Sequence, residues 1–275
     1  METISKLKSP PVDLGILGKI IANKHQEVAR QKEAVSLSAL IKIIDEQNRK
    51  KVSFKKALSN SQSGIISEFK RKSPSKGWIH PDADVVSIVS QYEKSGASAI
   101  SVLTDEQFFG GSFDDFKKAR MNIHIPLLRK DFIVDEYQIY QSKAMGADII
   151  LLIASALTEE ESERFSEIAH QLDMEVLLEI HNEKELDYIQ PNIDVVGINN
   201  RDLTTFVTDI NHSILLGKKI PQQYLKISES GISKPESVVN LRKAGFKGFL
   251  MGENFMKTEE PAQTLKLFIE NIEEK

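Results

Sequence analysis

Cysteine is absent from all 275 residues, which removes disulfides, thiolate metal sites and a thiol nucleophile together. A reducing compartment suits such a chain, and a cytoplasmic location is the expectation. Long apolar runs are missing as well. The most apolar stretch, residues 149–154, falls far short of the roughly 20 apolar residues that a membrane-crossing helix requires. The opening METISKLKSPPVDLG lacks the apolar centre of a secretory signal, so export is not expected. Neither charge is in great excess: 36 Lys and Arg face 40 Asp and Glu, and a balance of -4 gives no global attraction to nucleic acid or an anionic membrane. An anionic ligand must then be held locally. The six histidines are dispersed, with no H-E-x-x-H or similar spacing, so a catalytic metal is not indicated.

What remains is an ordinary globular composition, 40% hydrophobic and 28% charged, in a chain long enough to bury a large core. Pro10, Pro11 and Gly15 mark an irregular start, after which Ile16, Ile20, Ile21 and Val28 recur at helical spacing and predict a helix over 16–34. A second amphipathic stretch (Leu37, Leu40, Ile41, Ile44) leads through Phe54 and Leu58 to the loop SNSQSG. Residues 1–60 therefore read as a helical extension. Beyond Gly64 the pattern changes to brief apolar runs at 65–69, 99–103, 125–128, 148–153, 175–180, 195–199, 225–228 and 248–251. Helix-like segments separate them at 84–94, 136–145, 159–172, 235–244 and 261–272, with weaker ones at 114–119, 183–189 and 210–216. Three helix exits share a glycine (Gly96, Gly146, Gly245) suited to a left-handed terminal residue. Strand-then-helix repetition implies a parallel sheet. Residues 65–275 shared among eight units give about 26 each, the size class of an α/β (β/α)8 TIM barrel. An open doubly wound sheet would carry a G-x-G-x-x-G fingerprint, which is lacking. The expectation is a single domain over 1–275, with the extension in 1–60 and the barrel in 61–275.

In such a barrel the chemistry sits at the carboxyl ends of the strands. The first run places Ile66, Glu68 and Lys70 on one face, with both charges near the mouth; an ion pair that merely closes the barrel top is the alternative. The third ends in Arg129-Lys130-Asp131, with Lys130 in phase with Leu128. Glu179 stands among Val176, Leu177, Leu178 and Ile180, a costly place for an ionised carboxylate unless a cation is near, and Lys70 and Lys130 are available. Asn199 and Arg201 follow the sixth run, where they either orient a polar substrate or pin a loop. The last two runs lead into Ser230-Gly231 and Gly252-Glu253, where a phosphate is commonly held in this fold. Trp78, Phe108 and Phe109 line an aromatic pocket or serve as packing.

Seven segments together resemble the indole-3-glycerol phosphate synthase family: EFKRKSPSKG (68–77), SVLTDEQFFGGS (101–112), LLRKDFIVDEYQI (127–139), LLEIHN (177–182), GINNRDL (197–203), SESGIS (228–233) and FLMGENFM (249–256). The resemblance runs from about residue 16 to the C-terminus. It implies a (β/α)8 barrel with an extra N-terminal helical segment, no cofactor and no metal. It also implies decarboxylating, dehydrating closure of 1-(2-carboxyphenylamino)-1-deoxyribulose 5-phosphate to indole-3-glycerol phosphate, a step of tryptophan biosynthesis. On the matching positions, Lys130 would be the general acid and Glu179 the base assisting later proton removal. Glu68 and Lys70 would complete the charged mouth, Lys70 near the phosphate or carboxylate. Asn199 and Arg201 would position the anilino group and carboxylate, Ser73 and Pro74 would belong to a covering loop, and Phe109 would pack on the aromatic ring. Ser230, Gly231, Gly252 and Glu253 would hold the phosphate, the last through its backbone. Neighbouring cations are expected to lower the pKa of Lys130. Ala83 and Val85 depart from a common Phe-Asp-Pro pattern around Asp84, where only local packing should change. The implied partner is a phosphorylated small molecule, with no nucleic acid or membrane, for a monomer or weak homo-oligomer. An isomerase of the same barrel class would want a thiol, which is lacking, and a silent scaffold would not need Lys130 and Glu179.

Overall fold

The computed structural model describes residues 15–273 apart from 203, 204 and 206, so the Pro10-Pro11 start and Leu203 lie outside the described residues. Among the described residues, eight parallel strands close into a barrel: β1 (Ile65–Phe69), β2 (Ala99–Leu103), β3 (Leu127–Lys130), β4 (Ile149–Ile153), β5 (Glu175–Ile180), β6 (Val195–Asn199), β7 (Leu225–Glu229) and β8 (Gly248–Met251). Each pairs with its sequence neighbour, and β8 returns to β1 with Ile65 opposite Phe249 and Ser67 opposite Met251. Both strand faces are covered, which is why the strands read as unbroken apolar runs. Ile66, Leu128, Leu151, Leu177, Ile227 and Leu250 fill the interior. The alternate set, including Ile65, Phe69, Val102 and Val176, packs in the layer beneath the helices.

That layer consists of α4 (Val85–Lys94), α5 (Phe113–Asn122), α6 (Glu136–Ala144), α7 (Glu159–Gln171), α8 (Ile210–Gly217), α9 (Pro235–Lys243) and α10 (Pro261–Glu273), after the extension's α1 (Gly15–Ala34), α2 (Leu37–Asp45) and α3 (Phe54–Asn60). Asp84 caps α4 by accepting from the Ser87 amide, so the Ala83-Asp84-Val85 departure leaves the helix start intact. Gly96, Gly146 and Gly245 adopt φ of 93°, 88° and 89°, the left-handed exits expected from the sequence.

Three local readings differ. The third run begins at Leu127 rather than at 125, because Pro126 has no N–H to give to the ladder, and it continues through Arg129 and Lys130. Residues 183–188 form a 3-10 helix instead of an α-helix. A small antiparallel hairpin, Lys72–Ser73 against Gly77–Trp78, follows β1.

The extension grips the barrel at both ends. At the floor, Phe54 and Leu58 are buried with the interior cluster, and Glu175 at the start of β5 accepts from Ser53 Oγ (2.5 Å) and the Lys55 amide (2.9 Å). At the mouth, Lys24 of α1 is only 1% exposed and pairs with Asp105 (3.0 Å), Asp131 (2.9 Å) and Glu27 (2.8 Å). Against burial, which works the other way, Lys24 and Arg129 hold the Asp131 carboxyl down to about 2. Among the described residues no helix is long and apolar enough to cross a membrane.

Candidate active site

A cavity of about 460 Å³ opens at the carboxyl ends of the strands, with Leu151, Ile153 and Leu250 among its lining residues and Ile16, Leu17 and Ile20 contributed by α1. All thirteen site residues expected from the sequence line it. Period-two alternation on β1, β3 and β5 turns Glu68, Lys130 and Glu179 in toward the centre, each one step beyond an interior apolar residue.

Lys130 Nζ lies 2.9 Å from Glu179 Oε2 and 3.6 Å from Glu229 Oε2. Asn199 Nδ2 donates to the other Glu179 oxygen at 3.0 Å, and its own Oδ1 accepts from the Arg201 amide at 3.0 Å. Lys70 Nζ donates to Glu68 Oε1 at 2.5 Å. Arg201 reaches Ser75 Oγ at 3.1 Å and stands 3.8 Å from the Glu253 carboxylate, which tempers the negative charge of that side chain beside Gly252. Phe109 faces Phe132 with ring centroids 5.9 Å apart, and both rings line the cavity. Trp78 is instead 59% exposed, with the Lys72 ammonium over its ring.

The carboxylates decide the electrostatics. Burial opposes charge on Lys130, but Glu179, Glu229 and Glu68 overcome it and hold the ammonium above the usual lysine range. The expected lowering by neighbouring cations is therefore overturned: the groups closest to Lys130 are acids, and the Lys70 ammonium is committed to Glu68. Glu179, also buried, is held well below the usual carboxylate range by Lys130, His181 and Asn199. Glu229 goes the other way. Burial, reinforced by Glu179 and Glu68 and only partly offset by Lys130, raises it to about 8, so one of three clustered glutamates keeps its proton at neutral pH.

Two glycines make room for these acids. A Cβ on Gly252 would stand 2.4 Å from Glu68 Oε1, and one on Gly197 would stand 2.4 Å from Glu229 Oε1. Ser230 and Gly231 take successive left-handed conformations, φ 67° and 74°, uncommon for a serine.

Glu229 had no assigned role in the sequence reading, although it follows Ile227 by two residues as Glu179 follows Leu177. The cue was the same parity. Lys24 was also missed; it occupies a position in the buried stripe Leu17, Ile20, Lys24, Val28, where a lysine needs a partner.

The indole-3-glycerol phosphate synthase family model matches residues 17–268. The chain belongs to this family. An indole-3-glycerol phosphate synthase of Bacteroides thetaiotaomicron is 54% identical over 94% of this chain and 99% of its own, and that of Caldanaerobacter subterraneus subsp. tengcongensis is 42% identical over 94% and 98%. Among solved structures, the tryptophan synthase α-subunit of Legionella pneumophila superposes with a TM-score of 0.59 at 14% identity, over 80% of this chain and 97% of its own. That of Pyrococcus furiosus gives 0.58 at 18%, over 78% and 98%. At such identities the likeness speaks for the barrel alone, whereas the synthase relatives span nearly the whole chain.

Proposed function

We propose that this cavity performs the family's ring closure on 1-(2-carboxyphenylamino)-1-deoxyribulose 5-phosphate, with Lys130 as the general acid. What carries the reading is the convergence of the Lys130 ammonium and the Glu179 carboxylate, 2.9 Å apart, from separate strands in one cavity. The ring carbon bearing the carboxyl group attacks the ketone, a carbon–carbon bond forms, and negative charge develops on the ketone oxygen. Lys130 delivers its proton there, where it counts most in the transition state. Loss of carbon dioxide returns the electron pair to the ring and restores aromaticity. The new hydroxyl then leaves as water while the neighbouring carbon gives up a proton, the step in which Glu179 acts as base.

Glu68 and Lys70 hold and exchange charge beside this centre. Glu229, protonated near neutrality, offers a second donor for the departing hydroxyl. Asn199 orients Glu179, and Phe109 with Phe132 accepts the aromatic ring. Ser73 and Pro74 cover the site. Ser230, Gly231, Gly252 and Glu253 hold the phosphate by their backbone, with Arg201 screening the Glu253 side chain. Fixing both ends of a flexible substrate brings ring carbon and ketone into contact. We further infer that extension and barrel form one domain, since Phe54 and Lys24 are buried against the barrel.

Replacing Lys130 tests the reading. Lys130→Ala should cut turnover roughly 10²–10⁴-fold while fold and phosphate binding persist, followed by indole fluorescence without added metal. Turnover like that of the unaltered protein would place the acid elsewhere.

A further inference from the structure

We propose that His181 is a positioning residue for the ring closure, standing between Glu179 and Glu185 in a carboxylate–imidazole–carboxylate row that orients Glu179 from behind and gives it a second cationic neighbour. The inference rests on the role assigned to Glu179.

His181 follows Glu179 by two residues, just past the end of β5, with its side chain 11% exposed. It is not part of the cavity lining, so it meets the substrate only through Glu179. Its Nε2 lies 3.3 Å from Glu179 Oε1 and its Nδ1 lies 3.4 Å from Glu185 Oε2, at ion-pair range and without the alignment of full hydrogen bonds. Glu185 is itself fixed from the 3-10 helix, accepting from the His181 amide at 2.6 Å and from Asn182 Nδ2 at 2.8 Å. On the α8 side, His212 Nε2 donates to the His181 carbonyl at 2.7 Å, locking the backbone that carries the ring. Lys130 and Asn199 occupy the far side of Glu179. Two acids therefore face the imidazole, with Lys130 beyond Glu179 and His212 on the backbone side. Burial works against a charged ring, yet Glu179 and Glu185 raise its pKa to about 10.

The consequence lies in the reaction's first step. When Lys130 gives its proton to the ketone oxygen, Glu179 loses the ammonium 2.9 Å away. A buried carboxylate abandoned by its only counter-ion would take a proton and cease to be a base. With His181 as imidazolium behind it, Glu179 keeps one positive neighbour through that step and stays ionised for the proton removal that follows.

Imidazole 15N spectra of the full chain, assigned by comparison with His181→Gln, read the row without reference to activity. The His181 ring should remain doubly protonated through pH 8 and lose a proton at least one unit lower in Glu185→Gln. A neutral ring at pH 7 in the unaltered protein would overturn the proposal, whatever the enzyme assay gives. In kinetics, His181→Gln should keep KM, lower kcat about tenfold and move the acid limb of the kcat–pH profile upward. A purely structural histidine would lower Tm and leave that limb in place, which would also sink the idea. If His181→Gln does not fold, Glu185→Gln supplies the same profile with a smaller displacement. Absence of turnover in the unaltered protein would count against the synthase reading and leave the spectroscopic test standing.

Discussion

Glu229 illustrates how a single buried acid ties the site to the stability of the whole. Its folded pKa, raised to about 8 by burial and by Glu179 and Glu68, lies above the unfolded glutamate value of about 4.3. The folded state thus binds the extra proton between these limits. Its relative stabilisation is complete below about 4.3 and is lost as pH rises toward about 8. Glu229→Gln should accordingly raise Tm at pH 8 and change it little at pH 5, as thermal unfolding at the two values would reveal; an equal shift at both would mean that Glu229 is ionised in the folded protein. Glu68, Lys130 and Glu179 were legible because each follows an interior leucine or isoleucine by two residues. Glu229 obeys the same rule, but the predicted run stopped at residue 228, one step short of it. The protonation of Lys130 was not legible, since charge balance depends on which strands are neighbours across the mouth.

Among the elements, α1 does more than cover the barrel. Its Lys24 enters a fully buried pocket between Asp105, after β2, and Asp131, after β3, so the helix clamps the loop that begins next to Lys130. Lys24→Met removes the cation and leaves Asp105 and Asp131 buried, Asp131 with Arg129 still at 2.8 Å. We expect a loss of about 3–5 kcal/mol in urea unfolding; a loss below about 1 kcal/mol, typical of an exposed pair, would show that water reaches these acids. The helix itself was plain from its spacing, while its buried lysine looked like one more surface charge. Strand β3 was misplaced for a related reason. Arg129 reads as a loop residue, yet it is 1% exposed and satisfied by Thr104, Asp131, Ser142 and the Gln138 carbonyl. Partners drawn from three segments, the turns after β2 and β3 and helix α6, cannot be read from local composition.

On the scale of the molecule, the candidate site and the packed floor occupy opposite ends, although the Lys24 cluster adds stability at the mouth. The mouth concentrates the glutamates and lysines, and the floor is closed by Phe54 and Leu58 with the Ser53–Glu175 hydrogen bond. Phe54→Ala should cost about 3–5 kcal/mol of stability with kcat/KM unchanged; a fall in kcat/KM matching the fall in stability would mean that the ends are not separable. The barrel could be read from the sequence because unit length, glycine exits and apolar runs all agreed. The hairpin after β1 could not, since two-residue strands leave no periodicity. The seam between β1 and β8 joins residues distant in sequence, Ile65 with Phe249, and Gly252 lies against Glu68. A ribosome emits these partners many seconds apart, at roughly 5–20 residues per second. Glu68 therefore waits, without its glycine neighbour, until residue 252 has been made, and a nascent fragment that stops short of it lacks the completed mouth.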